Sequence, residues 1–379
     1  MNKENIRALF PHLDTNQIYF NHAAIGPWNK LILSRLEEYK NLRIGNMINP
    51  HPYFVEKSKS AKEKLTKLIG GTSDRIAWID NVSNGISLLV NSLDWKNGDE
   101  VILNDIEFPA NVYPFLNLKR KGVEVKFAKS RNGVVDIEDI EPLITERTKM
   151  ISISYVQFLS GYHAKIDEIG NLCKSKGIIF CVDSIQATGA LAIDVVKSKI
   201  DFLIGGTQKW LMTSQGLSYL YITQDLQDRI QQENIGWTSV KNEDEFLSYN
   251  LELKDTAERF QNGTLNSLGV CLFDASLDLF LDVGISEIEN AIRKNSVYLI
   301  NQLSEIGISP VLLNINENRL SGIVSFKHEM NKEIFNCLKS KNIICAMREG
   351  FIRLSPHFYN TKDEIDNVVD EIKKCLRSL

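Results

Sequence analysis

Four places in the sequence put polar side chains where they could act on a ligand. In Phe180-Cys181-Val182-Asp183-Ser184-Ile185-Gln186, an aspartate ends a strongly apolar run. A carboxylate so placed needs a partner, and its plain structural reading is a cap on the next helix. In Phe202-Leu203-Ile204-Gly205-Gly206-Thr207-Gln208-Lys209-Trp210, a lysine follows an apolar run and a glycine turn, beside an aromatic residue. Most lysines are solvated surface groups. Apolar flanks on both sides point instead to a desolvated amine, and burial drives lysine toward its neutral, nucleophilic form. Asp80-Asn81-Val82-Ser83-Asn84-Gly85 stands between a strand and a helix, where free N–H groups can hold a phosphate. Arg353, within Gly350-Phe351-Ile352-Arg353-Leu354-Ser355-Pro356, sits in a short apolar strand and must face water, an acid or a ligand.

Together these groups suit one cofactor. A carboxylate keeps a pyridine nitrogen protonated, a lysine forms a Schiff base, and a helix start holds a phosphate, which are the requirements of pyridoxal 5′-phosphate. The arginine adds bidentate recognition of an α-carboxylate. Neither GxxxxGK[ST] nor GxGxxG is present, which argues against a dinucleotide-binding oxidoreductase built on a similar sheet.

The elements that must position these residues follow from apolar patterning. Between about residues 75 and 222, short β-branched runs alternate with amphipathic stretches. The strands expected are Arg75–Asp80, Glu100–Asn104, Val123–Ala128, Met150–Val156, Ile178–Asp183, Phe202–Gly205 and Leu217–Ile222. They are continuous rather than alternating, as in a sheet covered on both faces. Helices are expected at Pro109–Lys121, Ile166–Lys176 and Ala190–Lys199. This alternation implies an α/β fold with a three-layer, mostly parallel sheet. The last run has no helix before it and is expected to lie antiparallel. Ligands of such sheets bind outside the carboxyl ends of the strands, where Asp183 and Lys209 fall.

Further along, amphipathic Val270–Leu281 and Ser286–Glu305 precede strands near Gly322–Lys327, Ile343–Arg348 and Phe351–Ser355, then a helix from Lys362. That reads as a smaller α+β unit. The division expected is an N-terminal segment 1–20 joining the small domain, a large domain 21–268 and a small C-terminal domain 269–379. Earlier helices are expected at Leu31–Asn41 and Lys57–Leu68.

The chain resembles the class V aminotransferase family of pyridoxal-phosphate enzymes (fold type I), which includes cysteine desulfurases, kynureninases and isopenicillin N epimerase-like proteins. The resemblance runs from Tyr19-Phe20-Asn21-His22-Ala23-Ala24-Ile25-Gly26-Pro27 to Arg353–Thr361 and rests most on the Asp183 and Lys209 segments, 26 residues apart. It implies that Lys209 is the Schiff-base lysine and proton shuttle, Asp183 the pyridinium partner and Gln186 the donor to the ring 3′-oxygen. Val82 and Ser83 match the phosphate-cradling turn. Gln208 matches a second phosphate ligand, where desulfurases usually carry His. Phe108, in Glu107-Phe108-Pro109-Ala110-Asn111, matches the residue that stacks on the cofactor ring; it can stack but cannot move protons. Gln157 stands near the 3′-oxygen, Arg353 on the substrate carboxylate, and Asn21, His22 and Ala23 in a loop lining the substrate entrance. Arg259-Phe260-Gln261-Asn262-Gly263-Thr264 resembles a stretch that crosses a dimer interface, so Thr264 would reach the partner's phosphate in a homodimer.

The resemblance implies chemistry at Cα of a small amino acid, with transamination first and epimerisation, desulfuration or elimination as alternatives; a non-catalytic binding protein would be expected to have lost the lysine. Cys345-Ala346-Met347 echoes a desulfurase motif but lies only eight residues before Arg353, so a loop is missing and Cys345 reads as a small buried hydrophobe.

Composition agrees with an ordinary globular enzyme: 379 residues, 43% hydrophobic, 24% charged, net charge −4. The acidic balance disfavours nucleic acid, and no run reaches the length of a membrane span. Six cysteines without a CxxC pair make a disulfide framework or a metal site unexpected, and with the polar N-terminus they suggest a reducing cytoplasm.

Overall fold

The computed structural model describes residues 3–45 and 47–378. Its first strand, β1 (Ile18–Tyr19), lies outside the main sheet. That sheet is built from β2 (Ile76–Ile79), β3 (Glu100–Asn104), β4 (Glu124–Ala128), β5 (Thr148–Ser154), β6 (Ile179–Asp183), β7 (Phe202–Gly206) and β8 (Ser218–Ile222). The strand order is β2-β8-β7-β6-β5-β3-β4. The pairs from β7 to β4 are parallel, whereas β8 runs antiparallel to both β2 and β7. All seven expected strands are present, and the antiparallel turn of the last one follows from its short connection to β7. Strands β3, β6, β7 and β8 are buried along their whole length, because apolar layers cover both faces of the sheet.

Two expected helices differ. Residues 109–121 form three short pieces, Pro109–Asn111, Tyr113–Leu116 and Asn117–Lys121. Pro114, inside the expected helix, lacks the N–H that a continuous helix would use. Residues 190–199 make turns instead of a helix. There the Asp194 carboxylate accepts the N–H groups of Val196 and Lys197, both at 3.0 Å, so the side chain takes donors that a helix would need for its carbonyls.

Beyond residue 266, helices Ser267–Val283 and Ile285–Glu305 lead into β9 (Val324–Phe326), β10 (Ile343–Ile344), β11 (Ala346–Arg348) and β12 (Phe351–Leu354). Strands β11, β12 and β9 form an antiparallel sheet in that order, and β10 pairs in parallel with β1. The helix Ser267–Val283 packs on the earlier helices Lys30–Ile44 and His51–Ile69. Its buried Asp274 is held there by Arg35 at 2.6 Å and Lys64 at 2.7 Å.

The cysteine expectation needs one correction. Cys337, on helix Asn331–Ser340, is disulfide-bonded to Cys375 on helix Lys362–Ser378, with Cα atoms 6.3 Å apart. No motif announces this pair, since 38 residues separate them and only the packing of the two helices brings them together. Reducing the bond, or replacing Cys337→Ser, is expected to cost about 2–4 kcal/mol of unfolding free energy. Urea unfolding with and without reductant measures this, and an unchanged midpoint would show that the pair adds nothing.

Candidate active site

Asp183 is the last residue of β6, and β6 lies between β5 and β7, so its carboxylate emerges at the carboxyl ends of the central parallel strands. It is 2% exposed and accepts one hydrogen bond, from the Ile185 N–H at 2.9 Å. Burial raises its pKa and the neighbouring Glu107 adds to this, while the Ile185 N–H and Lys209 pull the other way. Lys209 follows the adjacent β7. Burial lowers the pKa of its amine; Asp183 opposes that effect, whereas Arg353 and Arg348 reinforce it. The two groups are therefore desolvated together, each moved toward its neutral form.

The turn that carries the lysine is closed by its own hydrogen bonds. The Thr213 N–H donates to the Thr207 carbonyl at 3.0 Å, and the Thr207 hydroxyl donates to the Leu217 carbonyl at 2.9 Å. The Asn21–Gly26 loop then lies directly on it, with the Gly26 N–H donating to the Gln208 carbonyl at 2.8 Å. A Cβ on Gly26 would sit 2.3 Å from the Lys209 carbonyl, so this approach needs glycine.

Phe108 presents its ring to the amine, with Lys209 Nζ 5.7 Å from the ring centroid. Phe158 packs edge-on against Phe108 at 5.3 Å, a contact that sequence reading missed. The Phe158 carbonyl accepts from Arg353 Nη1 at 2.8 Å, which ties the small unit to the site. Arg353 is 2% exposed, has no ion pair among the described residues, and keeps a buried Nε with no acceptor. Burial, with Arg348 nearby, pushes its pKa down to about 10. A buried guanidinium with an unused donor calls for an anion.

Gln186 and Gln157 are both buried near this centre. Gln186 Nε2 donates to the Ala23 carbonyl at 3.1 Å and its Oε1 accepts from Trp210 Nε1 at 2.8 Å, so one of its amide hydrogens is engaged within the protein. Gln157 donates to Glu107, and its Oε1 is buried without a donor. Val82 and Ser83 open helix Val82–Ser92, where the Asn81 side chain caps the Asn84 N–H at 2.9 Å. Gly85 seats that helix on the sheet, since a Cβ there would come within 2.5 Å of Ile204 on β7. Gln208 shares the lysine turn, its Oε1 folded back toward Gly206.

Four further expected site residues are His22, Ala23, Asn21 and Thr264. His22 does not line an entrance. It is fully buried, with Nδ1 2.8 Å from the Ser355 carbonyl and Nε2 2.6 Å from the Tyr359 hydroxyl. The Asn21–Ser355 bridge turns it inward. Ala23 is also buried, and serves through its backbone by joining Gln186 to Ser355. Asn21 is half-buried, with an Oδ1 that has no donor. Thr264 is exposed and borders a cavity of about 740 Å³ that includes Asp80 and Asn84 but not Lys209 or Asp183 of its own chain.

Buried neutral histidines have a consequence for acid stability. Burial lowers the pKa of His22 to about 3 and of His163 to about 4, and holds His357 well below its usual value. The unfolded chain binds these protons first, near pH ~6.5. The stabilisation is therefore complete above that pH and is lost as pH falls toward 3. Thermal melting should show Tm dropping across this window, and His22→Gln should flatten the slope; an identical slope would mean that His22 carries a proton in the fold.

The family model described as "Aminotransferase class-V" matches residues 18–368. The uncharacterized aminotransferase YcbU of Bacillus subtilis is 30% identical over 84% of this chain and 84% of its own. Among solved structures, the cysteine desulfurase of Thermococcus onnurineus NA1 superposes with a TM-score of 0.90 at 22% identity, over 99% of this chain and 98% of that one. A C-DES mutant with glycine covalently linked to its pyridoxal-phosphate cofactor gives 0.87 at 21% identity, over 97% and 98% of the two chains. The cofactor inferred from four separated motifs and the family inferred from their order thus meet in one assignment: the chain belongs to the class V aminotransferase family of pyridoxal-phosphate-dependent enzymes.

Proposed function

We propose that the enzyme acts at Cα of a small amino acid, with transamination as its main reaction. One observation carries this reading: Asp183 and Lys209, desolvated at neighbouring strand ends, stand with a buried Arg353 that has no carboxylate partner among the described residues. Pyridoxal phosphate fits this donor set, and when bound it supplies the electron sink that makes a proton at Cα removable. Lys209 Nζ would hold the cofactor and carry the Cα proton. Asp183 keeps a positive charge on the ring nitrogen, the role in which its ionised form is stabilised. The N–H groups of Val82 and Ser83, with Gln208, take the phosphate. Phe108 would offer its face to the ring, Gln186 and Gln157 would bind at the 3′-oxygen, and Arg353 would hold the substrate carboxylate.

Several features favour transamination over its alternatives. The free cysteines, Cys173, Cys181, Cys271 and Cys345, are all buried. Burial pushes the Cys345 thiol up to about 12, far from the thiolate a sulfur acceptor needs. Beyond Cys345, β11 and β12 are joined by the two-residue turn Glu349-Gly350, both at positive φ, which leaves no mobile loop to carry a nucleophile. Phe108 and Phe158 offer no second proton carrier, which disfavours epimerisation. Elimination remains the second reading, because it needs only Lys209; the structural relative C-DES is itself described as a cystine C–S lyase.

A homodimer completes the reading. Between the main sheet and Thr264 the chain exposes Trp237, Phe246, Leu247 and Tyr249, the last at 91%, an apolar stretch suited to a second copy that would bring Thr264 to the partner's phosphate. The described residues contain no helix long and apolar enough to cross a membrane. A cytoplasmic location is the reading from sparse free thiols, and the Cys337–Cys375 bond is the observation that weighs against it.

Borohydride reduction of the loaded enzyme should fix the cofactor on Lys209, and Lys209→Ala should abolish that attachment; retention would refute the assignment. Arg353→Lys should raise KM at least tenfold, about 1.4 kcal/mol, by losing the bidentate fork. An unchanged KM would place the carboxylate elsewhere. Product analysis on an amino-acid panel separates the reactions: the pyridoxamine form for transamination, sulfide for desulfuration, and loss of optical purity for epimerisation.

A further inference from the structure

Glu107 is the most heavily hydrogen-bonded carboxylate in the site, and nothing in the reading above uses it. It is 7% exposed and has no ion pair among the described residues. Five donors converge on it. Oε1 accepts from the Ser154 N–H at 2.7 Å, Asn104 Nδ2 at 2.6 Å and Gln157 Nε2 at 3.1 Å. Oε2 accepts from Asn111 Nδ2 at 3.1 Å and the Ser154 hydroxyl at 2.5 Å. The orientations of the two asparagines are fixed independently. Asn104 Oδ1 accepts the Ile106 N–H at 3.1 Å, and Asn111 Oδ1 accepts the Ser152 hydroxyl at 2.6 Å. Their NH₂ groups therefore do face the carboxylate. Each of the five contacts meets the carboxylate with a hydrogen-bond donor.

This settles which end of Gln157 meets Glu107. An amide oxygen cannot face a carboxylate oxygen, so the NH₂ end must, and Oε1 points away. That oxygen is buried, in a side chain 1% exposed, and no group among the described residues donates to it. An acceptor left unmet in this way is unfavourable unless a ligand supplies the donor.

We propose that Glu107 is a positioning residue for the cofactor: it fixes Gln157 so that Oε1 accepts an N–H or O–H of the bound cofactor or of the amine joined to it, and its charge favours the protonated form of that donor. The inference rests on the pyridoxal-phosphate reading above. The same region also holds Cys181 and Asp183 on β6, Lys209 after β7, Arg348 on β11 and Arg353 on β12, and these stay unchanged in the variants below.

The test is the pH midpoint of the bound cofactor's absorbance change in the reconstituted wild type, Glu107→Gln and Gln157→Leu. Removing the anion or the acceptor destabilises the protonated form, so both midpoints should fall, that of Glu107→Gln by about one unit. Melting of each apoprotein checks folding, and if Glu107→Gln does not fold, Gln157→Leu decides. Two midpoints at the wild-type value overturn the proposal. A shift confined to Glu107→Gln overturns the route through Gln157, and one confined to Gln157→Leu overturns the role of Glu107. If borohydride fixes no cofactor on wild-type Lys209, the underlying reading has failed instead.

Discussion

Two ionisable groups, Asp183 and Lys209, are taken out of water beside the carboxyl ends of β6 and β7, and the neighbouring elements are arranged around them. A buried carboxylate and a buried amine each lose several kcal/mol of hydration, and a fold keeps such groups only when something repays the loss. Asp183 has one backbone donor, and Lys209 has an aromatic face rather than a carboxylate contact. Both are thereby held close to the point at which a proton or a covalent bond changes their state. Such perturbed pairs gather at functional sites.

The surrounding architecture exists to keep that pair in place. Parallel strands set the two side chains side by side, with Asp183 opposite Ile204 in register. The lysine turn is closed on itself through Thr207 and Thr213, and the loop carrying Gly26 presses on it from the N-terminal side. Trp210 extends the support into the small unit: it donates to Gln186 and its carbonyl lies 3.2 Å from His357 Nε2. The buried histidines His22 and His357 belong to this packing.

The relatives of this chain include proteins described as aminotransferases and as cysteine desulfurases. Where a desulfurase would carry its cysteine on a loop, this chain has a tight hairpin and a thiol turned into the core. Where histidine is common, Phe108 supplies a surface without a proton. In the proposed reading the site is rich in groups that bind and orient, and Lys209 is the group that moves a proton. Glu107 belongs with the former, as a fixed charge that orients without reacting.

The parallel sheet, the antiparallel last strand, and the places of Asp183, Lys209 and Arg353 were legible in the sequence, because each depends on local pattern: an apolar run long enough to be a strand, and a polar residue at its end. Residues 190–199 were misread because a side chain, Asp194, competes with the backbone for donors, and periodicity carries no trace of that competition. The Cys337–Cys375 bond, the inward turn of His22, the Phe158 contact and the five donors on Glu107 were decided by tertiary structure alone. Each joins segments whose proximity is set by packing, and a hydrogen bond or a disulfide depends on distance and direction, neither of which residue order encodes.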